Sequence, residues 1–197
     1  MRNIIAVIPA RGGSKRLKRK NIHPFFGKPL IAWSIEACRR SRHIEEIFVS
    51  SEDEEIIGIA KDFGAQVIPR PAQLADDAIP KIEAIRHADH WLQENAGLNP
   101  EVLVSVQANS PEIQASDIDR GIELMKTHEL WEVFSIDRNH VMNGAFRVLQ
   151  KHCLYNSFLS AHMGVVLAEY IDVHTIEDLE SIKARYANRN AFVSSRH

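Results

Sequence analysis

The residues best suited to chemistry form a basic loop near the N-terminus, IPARGGSKRLKRKN, residues 8–21. Its lysines and arginines are Arg11, Lys15, Arg16, Lys18, Arg19 and Lys20. The run Gly12-Gly13-Ser14 lets backbone N–H groups approach an anion closely, as phosphate-binding nests do. Arg11 and Lys15 add positive charge where a polyphosphate would lie. The loop therefore suits a nucleoside triphosphate, and the alternatives are a solvated basic turn or a nonspecific anion patch.

Two common phosphate motifs are absent from the sequence. It contains neither G-x-x-x-x-G-K-[ST] nor G-x-G-x-x-G, so neither a Walker ATPase nor a dinucleotide-binding protein is indicated. The net charge of −2 and the pI near 6.6 argue against a nucleic-acid-binding domain, which would be basic. The positive charge is local and calls for a local ligand.

Composition and length indicate one globular domain. The chain has 197 residues, of which 45% are hydrophobic and 25% charged. We expect a domain over residues 1–187 and an irregular, disordered tail over 188–197. Cys38 and Cys153 are too few for a zinc site or a disulfide scaffold, so we expect free thiols. The apolar run at residues 4–8 is too short for a signal or membrane segment, which predicts a cytoplasmic protein without membrane contact.

The elements that would position the basic loop alternate along the chain. Apolar runs predict strands at residues 4–8, 46–50, 65–68, 102–106, 131–136, 145–149 and 163–167. Helical spacing predicts helices at 29–40, 53–63, 80–95, 116–126 and 175–186. We expect Ser116 with Asp119, and Thr175 with Asp178, to cap the last two helices. This pattern is typical of a doubly wound, mostly parallel α/β sheet, in which ligands bind beyond the carboxyl ends of the strands.

Several motifs together resemble one family. Arg11-Gly12-Gly13-Ser14-Lys15, followed by Lys20-Asn21, closely resembles the N-terminal signature of the acylneuraminate cytidylyltransferases, the CMP-sialic acid synthetases. Further segments agree in order: KPLI at 28–31, VSS at 49–51, Arg70-Pro71 with Leu74-Ala75 and Asp77, VQ at 106–107 with Ser110-Pro111, NGA at 143–145, IDVHT at 171–175 and EDL at 177–179. The resemblance spans nearly the whole chain.

The resemblance implies a Rossmann-like nucleotidyltransferase fold with three αβα layers. It also implies transfer of a cytidylyl group from CTP to a sialic acid or related keto-sugar acid, with Mg²⁺ and release of pyrophosphate. The product would be a CMP-activated sugar for surface glycans. The resemblance also implies a possible homodimer, whose usual projecting dimerisation segment is shortened here between residues 111 and 143.

Residue roles follow from the matched positions. The resemblance assigns Arg11, Ser14 and Lys15, with the loop backbone at Gly12 and Gly13, to the triphosphate. It assigns Lys20 to the leaving pyrophosphate and Asn21 to the ribose or α-phosphate. Arg16, Lys18 and Arg19 fall where the family varies, and we expect them to be solvated.

The base and the sugar have their own candidates. Arg70, with backbone groups near Ala10 and Ala78, would recognise cytosine, although an arginine before a proline turn is the alternative. Gln107 matches a glutamine of the sugar site, or it satisfies local backbone groups. Asn143 either contacts the sugar or belongs to an Asn-Gly turn.

The metal position departs from the family. Asp172 matches the first of two family aspartates, but His174 stands at the second, and imidazole suits Zn²⁺ or Mn²⁺ better than Mg²⁺. Ala108, Asn109 and Glu112 also replace the usual residues around Ser110-Pro111. Two alternatives stay open: a keto-deoxy-octulosonate-type cytidylyltransferase, and a catalytically weak homologue that binds nucleotide in a regulatory role.

Overall fold

A computed structural model describes residues 3–76 and 78–194. Asp77, part of one motif that resembles the family, lies outside them. The strands are β1 (Ile4–Pro9), β2 (Pro24–Phe25), β3 (Lys28–Pro29), β4 (Glu46–Ser51), β5 (Gln66–Pro69), β6 (Val102–Val106), β7 (Glu132–Ile136), β8 (Met142–Gln150) and β9 (Met163–Leu167). The α-helices are α1 (Leu30–Arg39), α2 (Glu54–Asp62), α3 (Lys81–Asn95), α4 (Ala115–Thr127) and α5 (Ile176–Ser194).

Seven strands form one sheet in the order β5-β4-β1-β6-β8-β7-β9. Strand β1 pairs in parallel with β4 and β6, and β9 pairs in parallel with β7. Only β8 among these strands runs antiparallel to its two neighbours. The predicted mostly parallel α/β sheet is thereby confirmed.

Helices cover both faces of this sheet. Ile4, Ala6 and Ile8 of β1 belong to the core that holds apolar residues of α1, α2 and α4. The alternate residues Ile5 and Val7 belong to a second core that holds apolar residues of α3. Because successive side chains of a strand point to opposite faces, the two cores lie on opposite sides of the sheet and give the three αβα layers.

A third cluster of apolar side chains joins the two ends of the chain. Leu17 of the basic loop and Phe25 of the β2–β3 hairpin pack with Val173, and with Leu179 and Ile182 of α5. The sequence pattern did not predict the two-residue strands of this hairpin. The cluster brings the basic loop and the segment around Val173 to the same place, which matters for the site.

The helix boundaries test the predicted caps. Helix α4 begins one residue after Gln114, so Ser116 is not its N-cap. The carboxylate of Asp119 instead accepts hydrogen bonds from Ser41 Oγ and the backbone N–H of Arg42, and this tertiary contact replaces the predicted cap. Thr175 and Asp178 do form the expected reciprocal cap, because each accepts a hydrogen bond from the other's backbone N–H.

Helix α5 runs to Ser194 and so includes much of the segment predicted as an irregular tail. The division at residue 187 stays a prediction. Among the residues that the structure describes, no helix is both long and apolar enough to cross a membrane.

Candidate active site

A cavity of about 240 Å³ lies beyond the carboxyl ends of β1 and β6, the two adjacent parallel strands at the centre of the sheet. Its described lining residues are Pro9, Arg11, Gly13, Lys20, Asn21, Arg70, Leu74, Asp76, Ile79, Pro80, Lys81, Ala84, Gln107 and Asn109. The chain leaves β1 at Pro9 and β6 just before Gln107, so the cavity occupies the predicted position for a ligand. Arginine and lysine side chains make it a place for an anion.

The structure gathers many of the predicted site residues around this cavity. Arg11, Gly13, Lys20, Asn21, Arg70 and Gln107 all line it. Ala10, Gly12, Ser14, Lys15, Ala78 and Asn143 are not among its described lining residues. Asp172 and His174 adjoin it through hydrogen bonds to lining residues.

Glu52 holds two parts of the site together. One carboxylate oxygen accepts the backbone N–H of Gly12 at 2.7 Å, and the other accepts the Arg70 guanidinium at 2.7 Å. The Arg70 side chain is only 5% exposed, so Glu52 supplies the counter-charge for a nearly buried guanidinium. Glu52 thus fixes both the basic loop and Arg70, the residue predicted to recognise cytosine. The sequence signal for this role was only an acidic residue at the end of a buried strand.

The basic loop is also tied to the start of α2. Asp53 caps α2 by accepting the backbone N–H groups of Glu55 and Ile56, and it accepts a hydrogen bond from Arg19. A Cβ atom on Gly12 would lie 2.2 Å from Asp53 Oδ2, so only glycine fits there without a shift. The expectation that Arg19 is solvated needs correction, because it adopts a positive φ of 54° and pairs with Asp53 and Glu55.

Asp172 is the centre of a polar network. Its Oδ2 accepts hydrogen bonds from Gln107 Nε2 at 2.7 Å and lies 3.0 Å from His174 Nε2. Its Oδ1 accepts a hydrogen bond from the Asn109 amide, which also donates to the Val173 carbonyl at 2.6 Å. Asn109, one of the departures from the family pattern, therefore supports Asp172. Gln107 does more than satisfy local backbone, since it links the cavity to this carboxylate.

His174 connects this network to the basic loop. Its Nδ1 lies 2.9 Å from an Arg16 guanidinium nitrogen and 3.4 Å from Lys20 Nζ. Arginine and lysine can only donate, so Nδ1 accepts, and the ring proton is assigned to Nε2, which faces the Asp172 carboxylate. Arg16 is exposed, as expected, but the expectation that it is merely solvated is corrected by this contact.

Lys20 combines partial burial with nearby charges of both signs. Desolvation by burial lowers its pKa, and the nearby Asp172 carboxylate opposes that shift. Arg11 and Arg16 lower the pKa further by repulsion. The three cations are therefore close enough to repel one another, and an anion bound among them would relieve that repulsion.

The donor set around Asp172 fits a divalent cation poorly. Three N–H donors already occupy the carboxylate, and the imidazole of His174 stands where the resemblance implies a second aspartate. Asp178, an acidic residue in the first turn of α5, accepts the backbone N–H groups of His174 and Thr175. Across residues 3–76 and 78–194, no group of three or more histidine, cysteine or acidic side chains could hold a metal ion.

Lys81, which the sequence reasoning missed, joins the first cavity to a second one. Its ammonium donates to Gln107 Oε1 at 2.8 Å and to the Gly144 carbonyl at 3.2 Å. The residue is exposed as a whole, yet desolvation by the protein around it lowers its pKa. The second cavity, of about 190 Å³, is lined by Lys81 with apolar residues that include Phe134, and by Arg147.

Several predicted contact residues already have partners within the protein. The Asn143 amide donates a hydrogen bond to the Ala168 carbonyl at 2.5 Å, and its oxygen accepts hydrogen bonds from Ser135 Oγ and from the Ala145 N–H.

Three residues predicted to contact the nucleotide also have partners within the protein. Asn21 donates a hydrogen bond to the Arg11 carbonyl at 2.8 Å. The Ala10 N–H donates to the Ser50 carbonyl, and the Ala78 N–H donates to Asp76 Oδ1. These hydrogen bonds within the protein stabilise the strand, loop and turns around the cavity.

Comparison with known proteins places this geometry among enzymes of one kind. A family model described as cytidylyltransferase matches residues 5–157. An N-acylneuraminate cytidylyltransferase of Oncorhynchus mykiss is 36% identical over 141 residues, which are 71% of this chain and 31% of that protein. A pseudaminic acid cytidylyltransferase of Campylobacter jejuni is 49% identical over 94 residues, 47% of this chain and 40% of that protein. The matches thus span about a third of the length of these curated relatives.

Solved structures share the fold at low identity. CMP:2-keto-3-deoxy-manno-octonic acid synthetase complexed with CTP has a TM-score of 0.76 and 17% identity, covering 95% of this chain and 99% of that one. A manganese complex of Rv0371C from Mycobacterium tuberculosis has a TM-score of 0.64 and 11% identity, covering 91% and 97%. Manganese is thus present in one structure of the same fold.

Proposed function

This chain belongs to the cytidylyltransferase family, and from that premise we propose that it transfers a cytidylyl group from CTP to a sialic acid or related keto-sugar acid. The observation that carries the proposal is the cation-lined cavity beyond β1 and β6, where Arg11, Lys20 and Arg70 lie together. The relatives at 36% and 49% identity are named for N-acylneuraminate and pseudaminic acid, both acidic sugars. The acceptor class follows from those names.

The proposed reaction needs alignment and charge neutralisation rather than covalent help. The acceptor hydroxyl attacks the α-phosphorus of CTP and loses its proton to solvent. A new P–O bond forms, and the bond from the α-phosphorus to the bridging oxygen of the β-phosphate breaks to release pyrophosphate. Arg11, Lys15 and Lys20, with the backbone of Gly13, would hold the phosphates in line and stabilise the developing negative charge. Loss of one preorganised donor in such a site costs about 3–4 kcal/mol of transition-state stabilisation.

Arg70 supplies the proposed contact to the base. Cytosine presents N3 and O2 as hydrogen-bond acceptors, which a guanidinium can satisfy. Glu52 holds two guanidinium nitrogens of Arg70, at 2.7 and 3.3 Å, so the residue is fixed in position before the nucleotide arrives. Since the Ala10 and Ala78 N–H groups donate within the protein, their carbonyl oxygens are the backbone groups suited to the cytosine amino group.

The acceptor would bind where the two cavities meet. Lys81 lines both, and Gln107 lines the first. An ammonium group beside Gln107 suits the carboxylate that every keto-sugar acid carries. The Asn143 side chain forms hydrogen bonds with Ser135 and Ala168, so we assign it a structural role in β8 rather than a contact with the sugar.

The resemblance implies Mg²⁺, or Mn²⁺, held by Asp172. A bound divalent cation would supply further neutralisation of phosphate charge. Because Asp172 already accepts hydrogen bonds from Gln107, Asn109 and His174, phosphate binding in this proposal depends on the protein's own cations. The homodimer and the cytoplasmic location remain predictions.

Nucleotide selectivity tests the proposal. CTP should raise the melting temperature of the protein more than ATP, GTP or UTP does, because Arg70 and the backbone carbonyls suit cytosine. The Arg70→Met variant should reduce the difference between CTP and UTP. Equal shifts for all four nucleotides would overturn the cytidine assignment. A CTP-specific shift without pyrophosphate release from CTP in the presence of any keto-sugar acid would instead support a nucleotide-binding homologue.

A further inference from the structure

We propose that Arg16, positioned by His174, forms with Lys20 a binding site for the outer phosphates of CTP that works without a divalent cation. The inference deepens the proposed function and rests on it as far as CTP is concerned. It concerns the part of the site where the sequence departs from the family pattern that the resemblance implies: His174 in place of an aspartate, and Arg16 in a loop position where that pattern varies.

A chain of contacts supports this role. Asp172 Oδ2 lies 3.0 Å from His174 Nε2 and so fixes the ring proton on that nitrogen. The opposite ring nitrogen then accepts from Arg16 at 2.9 Å and from Lys20 at 3.4 Å. One imidazole acceptor thereby draws two cationic side chains to the same point. His174 is a positioning residue, and Arg16 and Lys20 are the groups that would touch phosphate.

Both cations keep donors for a ligand. A guanidinium carries five N–H groups and an ammonium three, and His174 Nδ1 can satisfy only a small part of them. Lys20 lines the cavity, and Arg16 is exposed beside it, so phosphate oxygens can reach both. The planar guanidinium also matches the geometry of phosphate oxygens. The pair therefore offers donors to phosphate oxygens at the cavity that Arg11 also lines.

The acidic groups nearby are committed elsewhere. Asp172 accepts three N–H donors, and Asp178 accepts the backbone N–H groups of His174 and Thr175 at the start of α5. A cation at this point would meet Arg16 and Lys20 at close range. Imidazole is also a poor ligand for Mg²⁺, which prefers oxygen. The protein thus places fixed positive charge beside His174, the position where the resemblance implies a second aspartate.

Calorimetric titration with CTP and with inorganic pyrophosphate, each in EDTA and in Mg²⁺, tests the proposal. Wild-type Kd values for both ligands should differ by less than about threefold between the two buffers. Arg16→Ala should weaken binding in EDTA by about tenfold, the loss of one charge-assisted contact. Lys18→Ala is the matched control, an exposed lysine in the same loop, and should leave both Kd values within about twofold.

The His174→Asp variant tests the role of His174 through the Mg²⁺ dependence of binding, which would not change if His174 only stabilised the fold. A carboxylate there would pair with Arg16 and Lys20 and offer Mg²⁺ a second oxygen ligand, so binding should become weaker in EDTA and recover in Mg²⁺. Melting curves of each variant verify that it is folded. Wild-type binding that requires Mg²⁺ would overturn the inference and leave the proposed function standing. Pyrophosphate binding in EDTA that Arg16→Ala abolishes, without CTP binding, would support the phosphate site and refute the cytidylyl function.

Discussion

Removal of the Glu52 side chain should destabilise the whole protein. In Glu52→Ala, Arg70 keeps its charge at 5% exposure without its partner, and the Gly12 N–H loses its acceptor. Breaking a buried ion pair from one side costs about 3–5 kcal/mol. We expect the free energy of unfolding to fall by that amount, and Tm to fall by about 6–20 °C for a chain of this size.

Urea unfolding followed by circular dichroism measures the effect. Glu55→Ala is the matched control, because the Glu55 side chain is 61% exposed and pairs with Arg19. This variant should lower the free energy of unfolding by less than about 0.5 kcal/mol. A double-mutant cycle with Arg70→Met isolates the pair and should give a coupling energy above about 1 kcal/mol. A Glu52→Ala cost below about 1 kcal/mol, or no coupling to Arg70, would refute the view that Glu52 holds the loop and Arg70 together.

Three further predictions concern the loop and the thiols. Gly12→Ala should lower the free energy of unfolding by about 1–3 kcal/mol, because the new Cβ atom would lie 2.2 Å from Asp53 Oδ2. Gly13→Ala has open space around the new Cβ atom and should change the free energy of unfolding by less than about 0.5 kcal/mol. Equal urea midpoints for the two variants would contradict this. Lys15→Ala should abolish pyrophosphate release. Its Tm should stay unchanged, since the Lys15 side chain is exposed. Preserved turnover would show that the loop does not hold the reacting phosphates. Burial raises the pKa of Cys38 to about 12 and that of Cys153 to about 11, so at pH 8 neither buried thiol should react with a colorimetric disulfide reagent until urea is added. Rapid reaction of the native protein would contradict this burial.

Much of the sheet was predictable from its apolar runs. The strand Val102–Val106 is buried on both faces, and its continuous apolar residues give the predicted bounds. The strand Met163–Leu167 also has the predicted bounds, although it lies at the edge of the sheet with Met163, Val165 and Leu167 exposed. The β2–β3 hairpin was missed because two-residue strands leave no periodic pattern. The cap of α4 was misplaced because Asp119 is used by Ser41 and Arg42, residues far away in sequence.

The site was predictable where local sequence sets it. The loop with Arg11 and Lys20 follows β1 directly, and the end of β1 sets its place. Glu52 and Lys81 were missed because their roles depend on which strands and helices become neighbours in space. The linkage of Arg16 to His174 depends likewise on the packing of Leu17 against Val173, which no local pattern reports.

Pyrophosphate release from CTP is the most direct test of the central claim. The measurement mixes the protein and CTP with a panel of keto-sugar acids in EDTA, Mg²⁺ and Mn²⁺. We predict release that requires both CTP and an acid of the N-acylneuraminate or pseudaminate class, and that falls to background in Lys20→Ala. No release with any acid under any of these conditions would contradict cytidylyl transfer.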